Sequence, residues 1–126
     1  MKIINDDNLY KELTQKIIGC SYRVHNELGA GFLEKVYQNA LAIELRESRV
    51  PFEQEFPLSV HYRGHLVGEY VPDFIVDSKV IVELKATSDL AAPHEVQLVN
   101  YLKATGLRVG LLINFGKSVV VKRRIL

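Results

Sequence analysis

The stretch VIVELKAT, Val80 to Thr87, reads as a buried β-strand with an acid and a base set into its middle. Positions two apart share one face of a strand, so Glu83 and Lys85 lie with Ile81 while Val82 and Leu84 face the other way. The apolar neighbours predict burial on both faces, where an uncompensated carboxylate or ammonium costs several kcal/mol. A cross-strand ion pair or a solvent-facing edge would compensate the charges. So would a second acid, with a cation between the two. The preceding run VPDFIV, Val71 to Val76, contains Asp73. If Asp77, Ser78 and Lys79 form the turn, Val76 pairs with Val80, and counting outward sets Asp73 opposite Glu83. A two-residue turn would put Asp73 on the wrong face. Two carboxylates directly opposed repel and destabilise a sheet unless a cation sits between them. On the three-residue register, Asp73 and Glu83 become ligands for a hard divalent ion, and Lys85 projects beside it as a mobile charge for water or phosphate.

The rest of the chain supplies the frame for this strand. Its 126 residues are 48% hydrophobic and 25% charged, the composition of one globular domain spanning 1–126. No apolar run is long enough to span a bilayer, and MKIINDDNLY lacks the apolar core of a signal peptide, so a soluble, cytoplasmic protein without membrane partners is expected. The lone Cys20 excludes an intramolecular disulfide, shares no zinc-like spacing with His25, His61, His65 or His94, and lies on a helical apolar pattern that predicts core packing. A net charge of +1 argues neither for nor against nucleic acid; the tail VKRRIL with Lys117 is the visible basic cluster, and a solvated terminus is the plainer reading of it.

Apolar residues recur at helical spacing from about Asn8 to Leu28, where Gly29 stops the pattern, and again from about Leu33 to Glu47. From Phe52 to Ala86 the period becomes two, with strand-like runs FPLSVHY, HLVGEYVPDFIV and VIVELKA separated by Arg63-Gly64 and by the Asp77–Lys79 turn. A polar loop with Ser88 and Asp89 as candidate caps precedes the helical run HEVQLVNYLKAT, which Gly106 ends, and the strands RVGLLINF and SVVVKRRI close the chain. Three strands joined by short turns predict an antiparallel meander. The helix before the next strand permits a crossover, giving an α/β mixed sheet with flanking helices. Gly29 and Gly31 lack the preceding strand and the following Lys-Ser or Lys-Thr of a phosphate loop, so they read as turn residues.

P-D in one strand followed by E-x-K in the next resembles the PD-(D/E)XK nuclease superfamily, and the order of helix, meander, helix and strand resembles that superfamily's restriction-endonuclease-like core. Asp77 and Lys79 form a second D-x-K, but their place in a turn makes them poor candidates. Gln97 and Tyr101, four apart on one helix face, are similar to the Q-x-x-x-Y element of exonuclease-like branches. GFLEKVY, Gly31 to Tyr37, matches the G-x-x-E-x-x-Y signature of the GxxExxY protein family. The likeness runs from about His25 to Phe115.

The resemblance implies a nuclease that hydrolyses phosphodiester bonds with Mg²⁺ or Mn²⁺, DNA being the expected substrate. Asp73 and Glu83 would hold the ion with the backbone carbonyl of Leu84, and Lys85 would orient the nucleophile or offset charge on the phosphate. Several branches bring a carboxylate from the helix before the meander to the metal, and Glu34 is the matching residue here; Tyr37 would pack beside that carboxylate or donate its hydroxyl to it. A first-turn acid favoured by the helix dipole explains Glu34 equally well. Gln97 and Tyr101 stand at the site or merely cap the sheet, and His94 reads as a helix cap or surface residue. A non-catalytic module binding nucleic acid or protein is the competing reading of the whole chain. So small and so weakly basic a chain is expected to grip DNA as a homodimer or with a partner protein.

Overall fold

A computed structural model describes residues 8–126. The opening segment Met1 to Asp7, on which the signal-peptide argument partly rests, lies outside the described residues. Helix α1 spans Lys11–Leu28 and α2 spans Glu34–Glu47. They pack on one face of a five-stranded sheet of order β1-β4-β5-β6-β7: β1 Phe52–Gln54, β4 Phe74–Val76, β5 Val80–Lys85, β6 Val109–Phe115 and β7 Val119–Ile125. Neighbouring strands are antiparallel except β5 and β6, which are parallel. A parallel pair needs a crossover, and α3, Ala92–Thr105, supplies it on the other face of the sheet. Two further strands, β2 Leu58–Tyr62 and β3 His65–Tyr70, form a separate hairpin.

The mixed sheet and its helices follow the apolar pattern. Ile17, Cys20, Val24, Tyr37, Leu41 and Leu45 bury against Phe74, Val82, Leu84 and Leu111 on one side, and Leu98 and Leu102 cover Ile81 and Leu112 on the other. β6 is buried along its whole length, as a central strand covered on both faces should be. Strand membership differs from the expectation in one respect. The antiparallel trio of the large sheet is β1, β4 and β5, because HLVGEYVPDFIV is not one strand but two. Pro72 has no amide to donate, so pairing lapses around it; β3 ends at Tyr70 and β4 begins at Phe74. FPLSVHY therefore pairs only with β3, and the strand that borders β4 is the short Phe52–Gln54.

Smaller expectations resolve along the same lines. Cys20 is fully buried, with Arg23 Nη2 3.1 Å from its sulfur. The basic tail is engaged rather than free: Arg124 pairs with Glu95, and Arg123 donates to the carbonyl of Leu9. Neither Ser88 nor Asp89 caps α3; its N-cap is Ala91, whose amide donates to His94 Nδ1 at 3.3 Å. The Asp77–Lys79 pair closes the β4–β5 turn with an ion pair of 3.1 Å, as its position required.

Candidate active site

The three-residue turn sets the register. Asp77 and Ser78 both adopt positive φ, and Val76 pairs with Val80, Ile75 with Ile81 and Phe74 with Val82. One step further along this ladder, Asp73 stands against Glu83. Its amide donates to Glu83 Oε1 at 3.0 Å, and its Oδ2 accepts from the amide of Leu84 at 2.7 Å. The Asp73 carbonyl accepts from Glu55 N at 3.0 Å, which ties the residue to the end of β1. Burial, reinforced by the charge of Asp73, lifts the Glu83 carboxyl to about pH 7, and Tyr70, the Asp73 amide and Lys85 offset part of that shift. Burial also raises Asp73, against the pull of the Leu84 amide and of Lys85. Two half-buried acids are thus held together in a setting that opposes the ionisation of both.

The Lys85 side chain, one strand repeat beyond Glu83, makes no hydrogen bond or ion pair with a described residue. Its charge nevertheless reaches Asp73, Glu83 and Glu34. Glu34 is the first residue of α2; partial burial raises its pKa, Lys85 lowers it, Asp73 raises it and His94 lowers it. The α2 acid therefore faces the same charges as the strand pair. Tyr37 does not approach it in the expected way. Its hydroxyl donates to the Gly29 carbonyl at 2.6 Å, and its ring stacks on Phe115 with centroids 4.6 Å apart. Three residues beyond Glu34, this side chain turns into the core and pins the Gly29–Gly31 loop.

Gln38, four residues beyond Glu34 and so on its helix face, is the α2 side chain that reaches the strand acids. It is buried and donates Nε2 to Asp73 Oδ1 at 2.9 Å. Helical spacing from Glu34 was the signal that could have found it. The second unforeseen residue is Tyr70, at the end of β3. Its buried hydroxyl lies beside Glu83 without completing a well-formed hydrogen bond, and its ring stacks on Tyr101 with 12° between the planes. Gln97 Nε2 donates to the Tyr101 hydroxyl at 2.7 Å. The Gln97–Tyr101 pair thus touches the site through Tyr70 rather than reaching the carboxylates itself. His94 caps α3 and adds its influence on Glu34.

The residues fit a hard divalent cation. Asp73 and Glu83 offer oxygen donors, and Gln38 Oε1 and Tyr70 Oη, next to them, are buried without hydrogen-bond partners. Among the described residues no three His, Cys, Asp or Glu side chains converge tightly.

Comparison with known proteins agrees with this architecture. No curated protein sequence matches the chain. Among solved structures, an alkaline exonuclease from Laribacter hongkongensis is similar with a TM-score of 0.54 and 10% identity, over 72% of this chain and 55% of that one. The protein SSO0001 is similar with a TM-score of 0.58 and 19% identity, over 95% of this chain and 61% of that one. The chain thus spans little more than half the length of either neighbour, and at these identities the likeness is one of fold. No helix among the described residues is long and apolar enough to cross a membrane. The sequence profile of the PD-(D/E)XK nuclease superfamily, by contrast, matches residues 11–125, nearly the whole chain, and the chain belongs to that superfamily.

Proposed function

We propose that the protein is a Mg²⁺- or Mn²⁺-dependent nuclease acting on DNA, a member of the GxxExxY group by its Gly31, Glu34 and Tyr37. One observation carries the reading: two carboxylates, Asp73 and Glu83, are opposed by strand register in a half-buried setting that penalises their joint ionisation, with the unpaired Lys85 on the same strand face. A bound divalent ion supplies positive charge to the phosphate and acidifies water near it. Asp73 and Glu83 would hold that ion, with the Leu84 carbonyl as a further oxygen donor and Glu34 acting from the edge of the site, directly or through one water. Gln38 and the Leu84 amide fix the rotamer of Asp73, so its carboxylate is set before substrate arrives. Lys85 offsets charge that builds on the phosphate as water adds to phosphorus, the bond to the leaving sugar oxygen breaks and that oxygen takes up a proton. Gln97 and Tyr101 support the site by buttressing Tyr70.

The test is cleavage of linear and circular DNA with Mg²⁺ or Mn²⁺, with and without chelator, alongside Mn²⁺ calorimetry. Metal-dependent cleavage lost in Asp73→Asn is the expected result. Metal-independent behaviour, with DNA bound and never cut, would leave only the non-catalytic module standing.

A further inference from the structure

Beyond its base, the β2–β3 hairpin belongs to neither the core nor the candidate site. Its base is anchored: Leu58 packs with the Ile81, Leu98, Leu102 and Leu112 cluster, and Tyr70, paired with Leu58, lies beside Glu83. Beyond the base the ribbon stands in solvent. Tyr62, Leu66 and Val67 are 60%, 58% and 60% exposed, an unusual outlay of apolar surface for a two-stranded ribbon. Arg63 and Gly64 both have positive φ, the pattern of a type I′ turn, which follows strand twist and keeps the two strands together to the tip. A bulge at Val67 bends the ribbon midway.

The ribbon's one side-chain cation, Arg63, and its one acid lie at opposite ends. At the tip stand His61, Arg63 and His65, with the Arg63 guanidinium over the Tyr62 ring at 5.1 Å and no ion pair to a described residue. The ribbon's one acid, Glu69, sits near the base opposite Ser59. Leu58, Val60 and Tyr62 alternate onto one ribbon face, the face that Tyr70 shares at the base, so the tip's aromatic ring extends a surface that begins at Glu83. From Tyr70 to His65 is five residues, about 17 Å of strand.

We infer that this ribbon is a DNA-binding arm, whose tip residues Tyr62, Arg63 and His65 enter the major groove of a B-form duplex whose scissile phosphate lies at the site of Asp73, Glu83 and Lys85. The inference rests on the nuclease reading of that site and adds the form of the substrate. A two-stranded ribbon fits the major groove of B-form DNA, about 12 Å wide, but not its minor groove of about 6 Å. The deep, narrow major groove of A-form RNA does not admit side chains, so the arm selects duplex DNA over duplex RNA. A single strand offers no groove wall for both strands of the ribbon to contact.

Arg63→Asn combined with Tyr62→Thr tests this without endangering the fold. Asn-Gly is the preferred type I′ turn and threonine is a good strand residue, so the ribbon survives the change. Binding is read by fluorescence anisotropy in chelator, where nothing is cut, on a DNA duplex of about two helical turns, the matching RNA duplex and the single DNA strand. The expected result is a loss of about tenfold on duplex DNA, with log K against log salt shallower by about one, and little change on the other two. Hydrolysis of a dinucleotide, too short to reach the arm, should be unchanged wherever wild type shows it. Unchanged duplex affinity overturns the inference, as does an equal loss on all three ligands or a wild type that binds no duplex. A change of oligomeric state in the variant with duplex affinity intact also overturns it, and assigns the arm to protein contact. If wild type cuts no DNA but the variant still loses duplex binding selectively, the nuclease reading fails while the arm stands.

Discussion

On one face of the large sheet, α1 and α2 bury Ile17, Tyr37, Leu41 and Leu45 in a continuous apolar layer; on the other, α3 seals a smaller cluster built on Leu98 and Leu102. Glu83 and Lys85 share the strand parity of Ile81, which belongs to the thinner side. The thick layer fixes register, because a slip of one residue would drive Phe74, Val82 and Leu84 out of it. The thin side leaves the ends of β4 and β5 within reach of polar groups from three directions: Gln38 and Glu34 from α2, Tyr70 from β3, and the Gln97–Tyr101 pair of α3 behind it. On the proposed function, stability and chemistry are therefore assigned to different faces of the same strands.

The sharpest way to separate the faces is to remove charge without removing volume. Asp73→Asn and Glu83→Gln should each abolish Mn²⁺ binding by calorimetry and reduce cleavage by several orders of magnitude, while leaving the metal-free fold as stable as before or more so, since the repulsion is relieved. Lys85→Ala should lower turnover by orders of magnitude with metal affinity nearly intact. If Lys85 is instead a structural partner of Glu83, that variant will lose stability and keep its rate. Wild-type Mn²⁺ affinity in both carboxamide variants would remove the site assignment altogether.

Volume removed from the two cores should tell a complementary story. Leu41→Ala, in the thick layer, is expected to cost about 3–4 kcal/mol by urea unfolding, and Leu98→Ala about 2–3 kcal/mol because a small cluster under one helix relaxes more readily. The α3 side also has a tight point. A Cβ on Gly110 would lie 2.8 Å from Leu98 Cδ1, so α3 approaches β6 over bare backbone. Gly110→Ala should cost about 1–3 kcal/mol, and adding Leu98→Ala should recover part of that loss rather than deepen it. Simple additivity of the two changes would show that α3 does not depend on this contact.

The metal-free protein should report the buried pair through pH. The Glu83 carboxyl is raised from 4.5 to about 7, so between those values the native state holds a proton that the unfolded chain has released. Stability therefore falls as pH rises through this window, by about 3 kcal/mol from Glu83, and Asp73, also raised, acts in the same sense. Urea midpoints in chelator from pH 5 to 8 should decline for wild type and flatten for Glu83→Gln. A flat wild-type curve would mean that the pair is better solvated than its burial indicates.

How much of this was legible depends on whether the signal was local. The three residues of the Asp77–Lys79 turn and the period of two were enough to set Val76 against Val80 and so bring Asp73 to Glu83. The hairpin excursion was not legible in the same way: the runs on both sides of Pro72 alternate alike, and nothing local says that one leaves the sheet. Tyr37 was misplaced because identity within a motif does not fix direction; on a helix, three residues on from Glu34 led into the core and four led to Asp73 through Gln38. Tyr70 became visible only when tertiary packing laid it between Glu83 and Tyr101.

Glu34 marks the border between the two faces, and the smallest effect is expected there. It comes from α2, a helix of the thick layer, yet its carboxylate feels Lys85, Asp73 and His94. A first-turn acid stabilised only by the helix dipole would contribute a few tenths of a kcal/mol to folding and nothing to metal affinity. An acid within direct or one-water reach of the ion would show the reverse. Glu34→Gln keeps the size of the side chain and removes the charge, and at the edge of the site it should weaken Mn²⁺ binding by about tenfold, roughly 1.4 kcal/mol, with little change in the urea midpoint. Paired with Gln38→Leu, which leaves Asp73 only the Leu84 backbone amide as a donor, it should show coupling in Mn²⁺ affinity, because both act on the same carboxylate cluster from one helix face. An unchanged Mn²⁺ isotherm for Glu34→Gln, with a lowered urea midpoint, would return Glu34 to the helix dipole and leave the metal to the strands alone.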